Sequence, residues 1–263
     1  MLLAPSAVLF VVAGFCQEAP PKAAVFTPEE IAAAQKDPKR FEVEDGALGI
    51  QWRGLELRPT NLPPPTTDTP DETLIIVDHI INIGRKIWTI VEENKPVVDI
   101  KTQYASAVPE GITHWSQLSG WDTPAATVYG FVAKNAYGGK MIDVKYAVTR
   151  TTGGGFKGKG RYLTGVTVDP LRVEVGWGYR FTMTAEAPSV TNADKTGENP
   201  LAGMMVNLKW RIQTPLKDAQ GTGVYYVRGD GLFVEVGGPF SRSQVSETAS
   251  RVKALTASGG PSW

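Results

Sequence analysis

Residues 172–186 alternate between apolar and polar side chains, and this pattern constrains the fold more than any other feature of the chain. The apolar parity comprises Val173, Val175, Trp177, Tyr179, Phe181, Met183 and Ala185. Successive side chains of a strand point to opposite faces, so a period of two predicts one buried face and one face in water. Such one-sided burial is typical of an antiparallel sheet. Gly176 and Gly178 predict a bulge or bend, because an unbroken strand of this length would be unusual.

The same alternation recurs along the second half of the chain. Residues 203–214 repeat it, and residues 127–134 and 141–150 read as the arms of a hairpin around a glycine-containing turn. Further strands are predicted at 97–104, 224–228 and 232–236. Seven to nine strands separated by turns predict a mainly β fold, an antiparallel β-sandwich. The apolar parity places Trp177 and Trp210 in its core.

Residues 73–94 show a different period. Their isoleucines recur at spacings of three and four: Ile76, Ile80, Ile83, Ile87 and Ile90. This spacing predicts one long amphipathic helix, ended by Lys95-Pro96 and packed on one sheet. The alternative is a segment that inserts into a membrane or binds a partner. The mixed charge of its polar face favours packing, since membrane-surface helices usually carry a Lys/Arg-rich face.

The chain divides into five segments. Thr27, Pro28 and Glu30 form a capping box that starts a short helix in the second segment. We expect a signal peptide at 1–16, an N-terminal segment with a short helix and weak strands at 17–58, a Pro-rich linker or surface strap at 59–71, a β-sandwich domain with its leading helix at 72–237 and a polar tail at 238–263.

The N-terminus predicts export. Residues 2–12 are apolar over the length of a signal-peptide core and are too few to span a bilayer. Gly14 and Cys16 are small residues suited to cleavage before Gln17; lipidation of Cys16 is the alternative. Cleavage would remove the one cysteine, which excludes disulfides and thiolate metal sites. A secreted animal protein of this size usually carries disulfides, so we expect a secreted or periplasmic protein of a bacterial cell envelope.

Charge and motifs exclude several function classes. The 27 basic and 27 acidic residues cancel, and without a basic run we expect no nucleic-acid partner. Residues 153–160 resemble a phosphate-binding loop but lack the Ser or Thr after the lysine, so they predict a hairpin tip. Residues 228–230, Arg-Gly-Asp, predict a turn. His79 and His114 are the only histidines and no G-x-S-x-G sequence occurs, so we expect no enzyme, no metal and no cofactor.

Three residues are candidates for ligand binding: His114, Trp115 and Trp121. They lie within eight residues that show little periodicity, which indicates a loop. The tryptophans either plug one end of the sandwich or form a platform for a sugar ring or a lipid interface.

The predicted layout of an amphipathic helix leading into a sandwich, with an Arg-Gly-Asp turn, resembles that of actinoporin-type cytolysins. This resemblance would imply a membrane-active protein, and it carries no site residue onto this sequence. We expect instead a non-enzymatic module for binding another envelope or extracellular protein, or for assembly in the cell envelope. A carbohydrate-binding module and a membrane-active protein are the alternatives.

Overall fold

The computed structural model describes residues 24–43, 49–57, 62–97, 103–194, 196 and 198–237. The predicted signal peptide, Cys16, the predicted tail at 238–263 and most of the predicted strand at 97–104 lie outside the described residues.

Two short helices and thirteen strands make up the regular structure of the described residues. The helices are α1 (Pro28–Lys36) and α2 (Pro38–Phe41). The strands are β1 (Gly49–Leu57), β2 (Ile76–Asn82), β3 (Ile87–Glu92), β4 (Lys95–Pro96), β5 (Ala105–Glu110), β6 (Ala125–Lys134), β7 (Lys140–Phe156), β8 (Lys159–Val175), β9 (Arg180–Glu186), β10 (Val190–Asn192), β11 (Ala202–Gln213), β12 (Asp218–Arg228) and β13 (Phe233–Gly237). Single 3₁₀ turns span Glu72–Leu74 and Trp115–Gln117.

The strands form two antiparallel sheets. The first has the order β1-β6-β7-β8-β5-β2, and the second has the order β13-β12-β11-β9-β3-β4 with β10 beside β11. The predicted hairpin is the β6–β7 pair, in which Tyr129 lies opposite Tyr146. A mainly β, antiparallel architecture is thus confirmed, with more strands than the seven to nine predicted.

The long alternation of residues 172–186 crosses from one sheet to the other. β8 ends at Val175 in the first sheet and β9 begins at Arg180 in the second, with a turn between them. Trp177 lies in this turn and is 49% exposed, so its predicted place in the core is wrong. Trp177 has the same parity as the buried residues of the alternation. It lies in a turn between the two sheets, however, and neither sheet covers its side chain. Its ring instead packs edge-on against Phe41, with centroids 5.9 Å apart.

The predicted helix at 73–94 is also wrong: these residues form a 3₁₀ turn and the strands β2 and β3. Ile80 and Ile90 are buried, whereas Ile76 and Ile87 are about half exposed, so the isoleucines do not form one stripe. Isoleucine is β-branched and favours strands over helices, and five of them outweigh the helical spacing. The layout shared with actinoporin-type cytolysins depended on this helix and is absent here.

One core contains side chains from both sheets. Phe131 of β6 contacts Phe181 of β9 and Trp210 of β11, with ring centroids 5.5 and 5.2 Å apart. The predicted inward parity of β11 is confirmed, and all its members are buried: Met204, Val206, Leu208, Trp210 and Ile212. The predicted burial of Trp210 is therefore correct.

The N-terminal helices are fixed to the start of β9. The predicted capping box is present, with Glu30 N donating to Thr27 Oγ1 (3.2 Å) and Thr27 N donating to the Glu30 carboxylate (2.8 Å). The same carboxylate, almost fully buried, pairs with Arg180 at 2.9 Å. The Tyr179 hydroxyl lies 2.8 Å from the carbonyl oxygen of Arg40. These contacts join α1 and α2 to the second sheet.

Candidate functional site

The loop between β5 and β6 carries the three candidate residues and begins with a capped turn. His114 Nδ1 accepts a hydrogen bond from Ser116 N (3.3 Å), and Gln117 Oε1 accepts one from His114 N (3.1 Å). His114 therefore acts as the cap of the 3₁₀ turn that contains Trp115. Its ring also lies 5.5 Å from the Trp115 ring, which orients that indole from the side.

Both indole N–H groups are used within the chain. Trp115 Nε1 donates to the carbonyl oxygen of Pro63, and Trp121 Nε1 donates to that of Trp115, each at 3.2 Å. A buried indole N–H without a partner is costly, and these bonds remove that cost. They also fix the orientation of both rings, so that neither indole N–H is available to a ligand.

A Pro-rich segment lies along this loop. We call residues 62–71 the strap; they have no regular secondary structure. Ser116 Oγ accepts from Thr66 N (3.0 Å), and Gln117 Nε2 donates to Asp68 O (3.3 Å). Together with the bond from Trp115 to the first proline, three consecutive side chains of the loop hold the backbone of the strap.

The strand β7 supports the other side of the loop. Ser119 and Gly155 exchange two backbone hydrogen bonds of 3.0 and 2.8 Å. Asp122 N donates to Thr152 O (2.9 Å), and Thr152 Oγ1 donates back to Asp122 Oδ2 (2.8 Å). The carboxylate of Asp122 and the indole of Trp121 are therefore attached to a rigid strand.

A cavity of about 380 Å³ lies between the strap and the loop. Its described lining consists of Leu62, Pro63, Pro64, Pro65, Trp115, Trp121, Asp122, Pro124 and Thr151. The lining residues are a leucine, prolines and tryptophans, with Asp122 and Thr151 as the polar members. The structure thus brings Trp115 and Trp121 to one cavity, whereas His114 is not among the described lining residues.

Sequence reasoning missed Asp122 and the prolines of the cavity. Asp122 directly follows the candidate Trp121, and this adjacency is the one sequence signal that could have identified it. Pro63, Pro64 and Pro65 are about fifty residues from the loop along the chain, and no local pattern links them to it. Within the described residues, no group of three or more His, Cys, Asp or Glu side chains is suited to hold a metal ion.

The other sequence motifs have structural roles. Residues 157 and 158 form the turn between β7 and β8, as predicted for a hairpin tip, and Lys157 pairs with Glu72. The Arg-Gly-Asp sequence forms the β12–β13 turn, where Arg228 pairs with Asp230 at 2.7 Å. His79 lies on β2, with Nδ1 2.6 Å from the Glu110 carboxylate.

Comparison of the chain with known protein families, curated proteins and solved structures finds no match. In the described part of the chain, no helix is both long and apolar enough to cross a membrane.

Proposed function

We propose that the chain is a secreted or periplasmic, non-enzymatic β-sandwich module that binds a protein partner in the cell envelope, and that the cavity beside Trp115 and Trp121 is its binding site. The supporting observation is that both indole N–H groups are satisfied within the chain while both rings line a cavity. Such rings bind through their apolar faces and need no hydrogen-bond partner from the ligand.

Tryptophan is the residue type most often found at the energetic centre of protein interfaces, because one side chain buries a large area. The loop is also held on both sides, by the strap and by β7. A preorganised site loses little conformational entropy on binding. The contact of Phe131 with Phe181 and Trp210 supports a sandwich as the rigid scaffold for this loop.

The alternative is a carbohydrate-binding module. The observation that favours it is that two tryptophans and the polar residues Asp122 and Thr151 line one cavity. Sugar rings stack on aromatic faces and need polar groups at the ring edge. Both proposals include export of the chain, and this part of each proposal depends on the predicted signal peptide.

Binding measurements with matched tryptophan variants test the proposal. We would titrate a peptide library and a glycan panel into the wild type, Trp121→Ala and Trp177→Ala, the last being an exposed tryptophan outside the cavity. Peptide binding that is lost in Trp121→Ala and kept in Trp177→Ala supports a protein-binding site. Glycan binding with that dependence favours the alternative. Equal effects of the two substitutions would exclude the cavity as the site.

A further inference from the structure

We infer that the cavity takes a cationic side chain, the ammonium of a lysine or the guanidinium of an arginine, presented by the partner protein. This inference deepens the proposed function and rests on it. The evidence is the pairing of aromatic walls with one carboxylate that has no basic partner among the described residues.

The aromatic walls favour a cation over a neutral group. The face of an indole carries partial negative charge, and tryptophan binds cations more strongly than the other aromatic residues do. Trp115 and Trp121 line the same cavity, with their N–H groups bonded to backbone carbonyls. Because these N–H groups are occupied, their positive edge charge is directed to the chain and not to a ligand.

Asp122 adds a full negative charge to this cavity. Its Oδ2 accepts a hydrogen bond from the Thr152 hydroxyl (2.8 Å), which orients the carboxylate without neutralising it. Two basic side chains in neighbouring turns have other partners: Lys157 pairs with Glu72, and Arg228 pairs with Asp230. The described lining of the cavity contains no lysine or arginine. Among the described residues, no side chain of the cavity supplies the charge that complements Asp122, and a cationic ligand would supply it.

The composition of the walls argues against the other ligand classes. An apolar group would pack on the proline and tryptophan residues but would leave the exposed Asp122 carboxylate without a complementary charge. An anion would meet a like charge. A lysine or arginine side chain matches both parts of the cavity, since its methylene stem packs on proline and indole while its charged head reaches the carboxylate.

Paired probes that differ only in charge test this inference. We would titrate Nα-acetyl-lysine N-methylamide and its neutral counterpart, Nα-acetyl-norleucine N-methylamide, into the full chain. Indole N–H shifts in NMR spectra report contact at the tryptophans. We expect saturable shifts for the lysine probe and binding about tenfold weaker for the norleucine probe, the size expected for a cation held by aromatic rings.

Two substitutions complete the test. Asp122→Asn keeps an oxygen to accept from Thr152 and should weaken the lysine probe about two- to fivefold, as for an exposed ion pair. Glu29→Gln removes one charge outside the cavity and should not weaken it. If both probes bind equally well and Trp121→Ala weakens both, the cation inference is wrong, but the cavity remains the proposed binding site. If Asp122→Asn has no effect on the lysine probe, the role of Asp122 is wrong. If neither probe shifts the indole signals, the inference and the proposed site both fail.

Discussion

The indole ring of Trp121 lies directly against the backbone of Gly154. A β-carbon at residue 154 would stand 2.5 Å from Cζ2 and from Cζ3 of that ring, far inside van der Waals contact. Glycine at this position therefore lets the indole pack closely against β7, and the Trp121 Nε1 bond to the Trp115 carbonyl holds it there. The shape of the cavity depends on this pair.

The substitution Gly154→Ala tests that dependence. The added methyl group should displace the Trp121 indole, lower the free energy of unfolding by about 1–3 kcal/mol through overpacking, and abolish binding in the cavity. Near-ultraviolet circular dichroism reports the ring and urea denaturation reports the stability. Gly237→Ala is the control, because a β-carbon there would meet no atom of the described residues within 4 Å. An unchanged near-ultraviolet spectrum in Gly154→Ala would contradict the arrangement.

The hydroxyls of Tyr146 and Tyr225 provide a second test, since they join β7 of one sheet to β12 of the other at 2.7 Å. Both side chains are buried. Tyr225→Phe leaves the Tyr146 hydroxyl without this partner and should cost about 1–3 kcal/mol. The double variant with Tyr146→Phe should cost less than the sum of the two single variants, measured by urea denaturation. Strict additivity would mean that the two hydroxyls do not interact.

The pair of Glu30 and Arg180 predicts a dependence on pH. Burial raises the pKa of the Glu30 carboxyl, but hydrogen bonds from Thr27 and Arg180 and the charge of Arg180 outweigh it and lower the pKa below its ordinary value. A carboxyl with a lowered pKa contributes stability that is present above about pH 5 and is lost as the pH falls through the folded pKa.

The measurement compares Glu30→Gln with Glu29→Gln, whose side chain is exposed on the same helix. Glu30→Gln should lower the free energy of unfolding by about 1–3 kcal/mol at neutral pH, as for a lost charged hydrogen bond. Its deficit relative to wild type should shrink in urea denaturations performed below pH 4. A deficit that stays constant with pH would show that Glu30 contributes by packing alone.

Local sequence patterns are sufficient to predict the elements whose pattern lies within one short stretch of chain. The inward parity of β11, the hairpin of β6 and β7 and the capping box at Thr27 each depend on residues a few positions apart, and all three are confirmed. Gly176 and Gly178 predict a bend, but the alternation does not reveal that the chain changes sheet there, because a turn of even parity preserves the alternation. This is why Trp177 was placed in the core and lies half exposed.

The cavity could be predicted only in part for a related reason. The loop character of Trp115 and Trp121 follows from the missing period, but their neighbours across the cavity come from the strap. Contacts between distant segments follow from the assembled sheets and from single hydrogen bonds such as Trp115 Nε1 to Pro63 O. Neither leaves a periodic signal in the sequence.

The isoleucines of residues 73–94 provide the most direct test between the predicted helix and the observed strands. In a helix, Ile87 and Ile90 lie three residues apart on one face and would be covered alike. In β3, Ile87 is 48% exposed at the first position while Ile90 is fully buried in the shared core. Ile90→Ala should therefore cost about 2–5 kcal/mol, as for a buried isoleucine, and Ile87→Ala less than about 1 kcal/mol, as for a surface position. Urea denaturation of the two variants gives both values under the same conditions. Equal losses of stability in the two variants would favour the helical interpretation, because one apolar stripe would cover both positions alike.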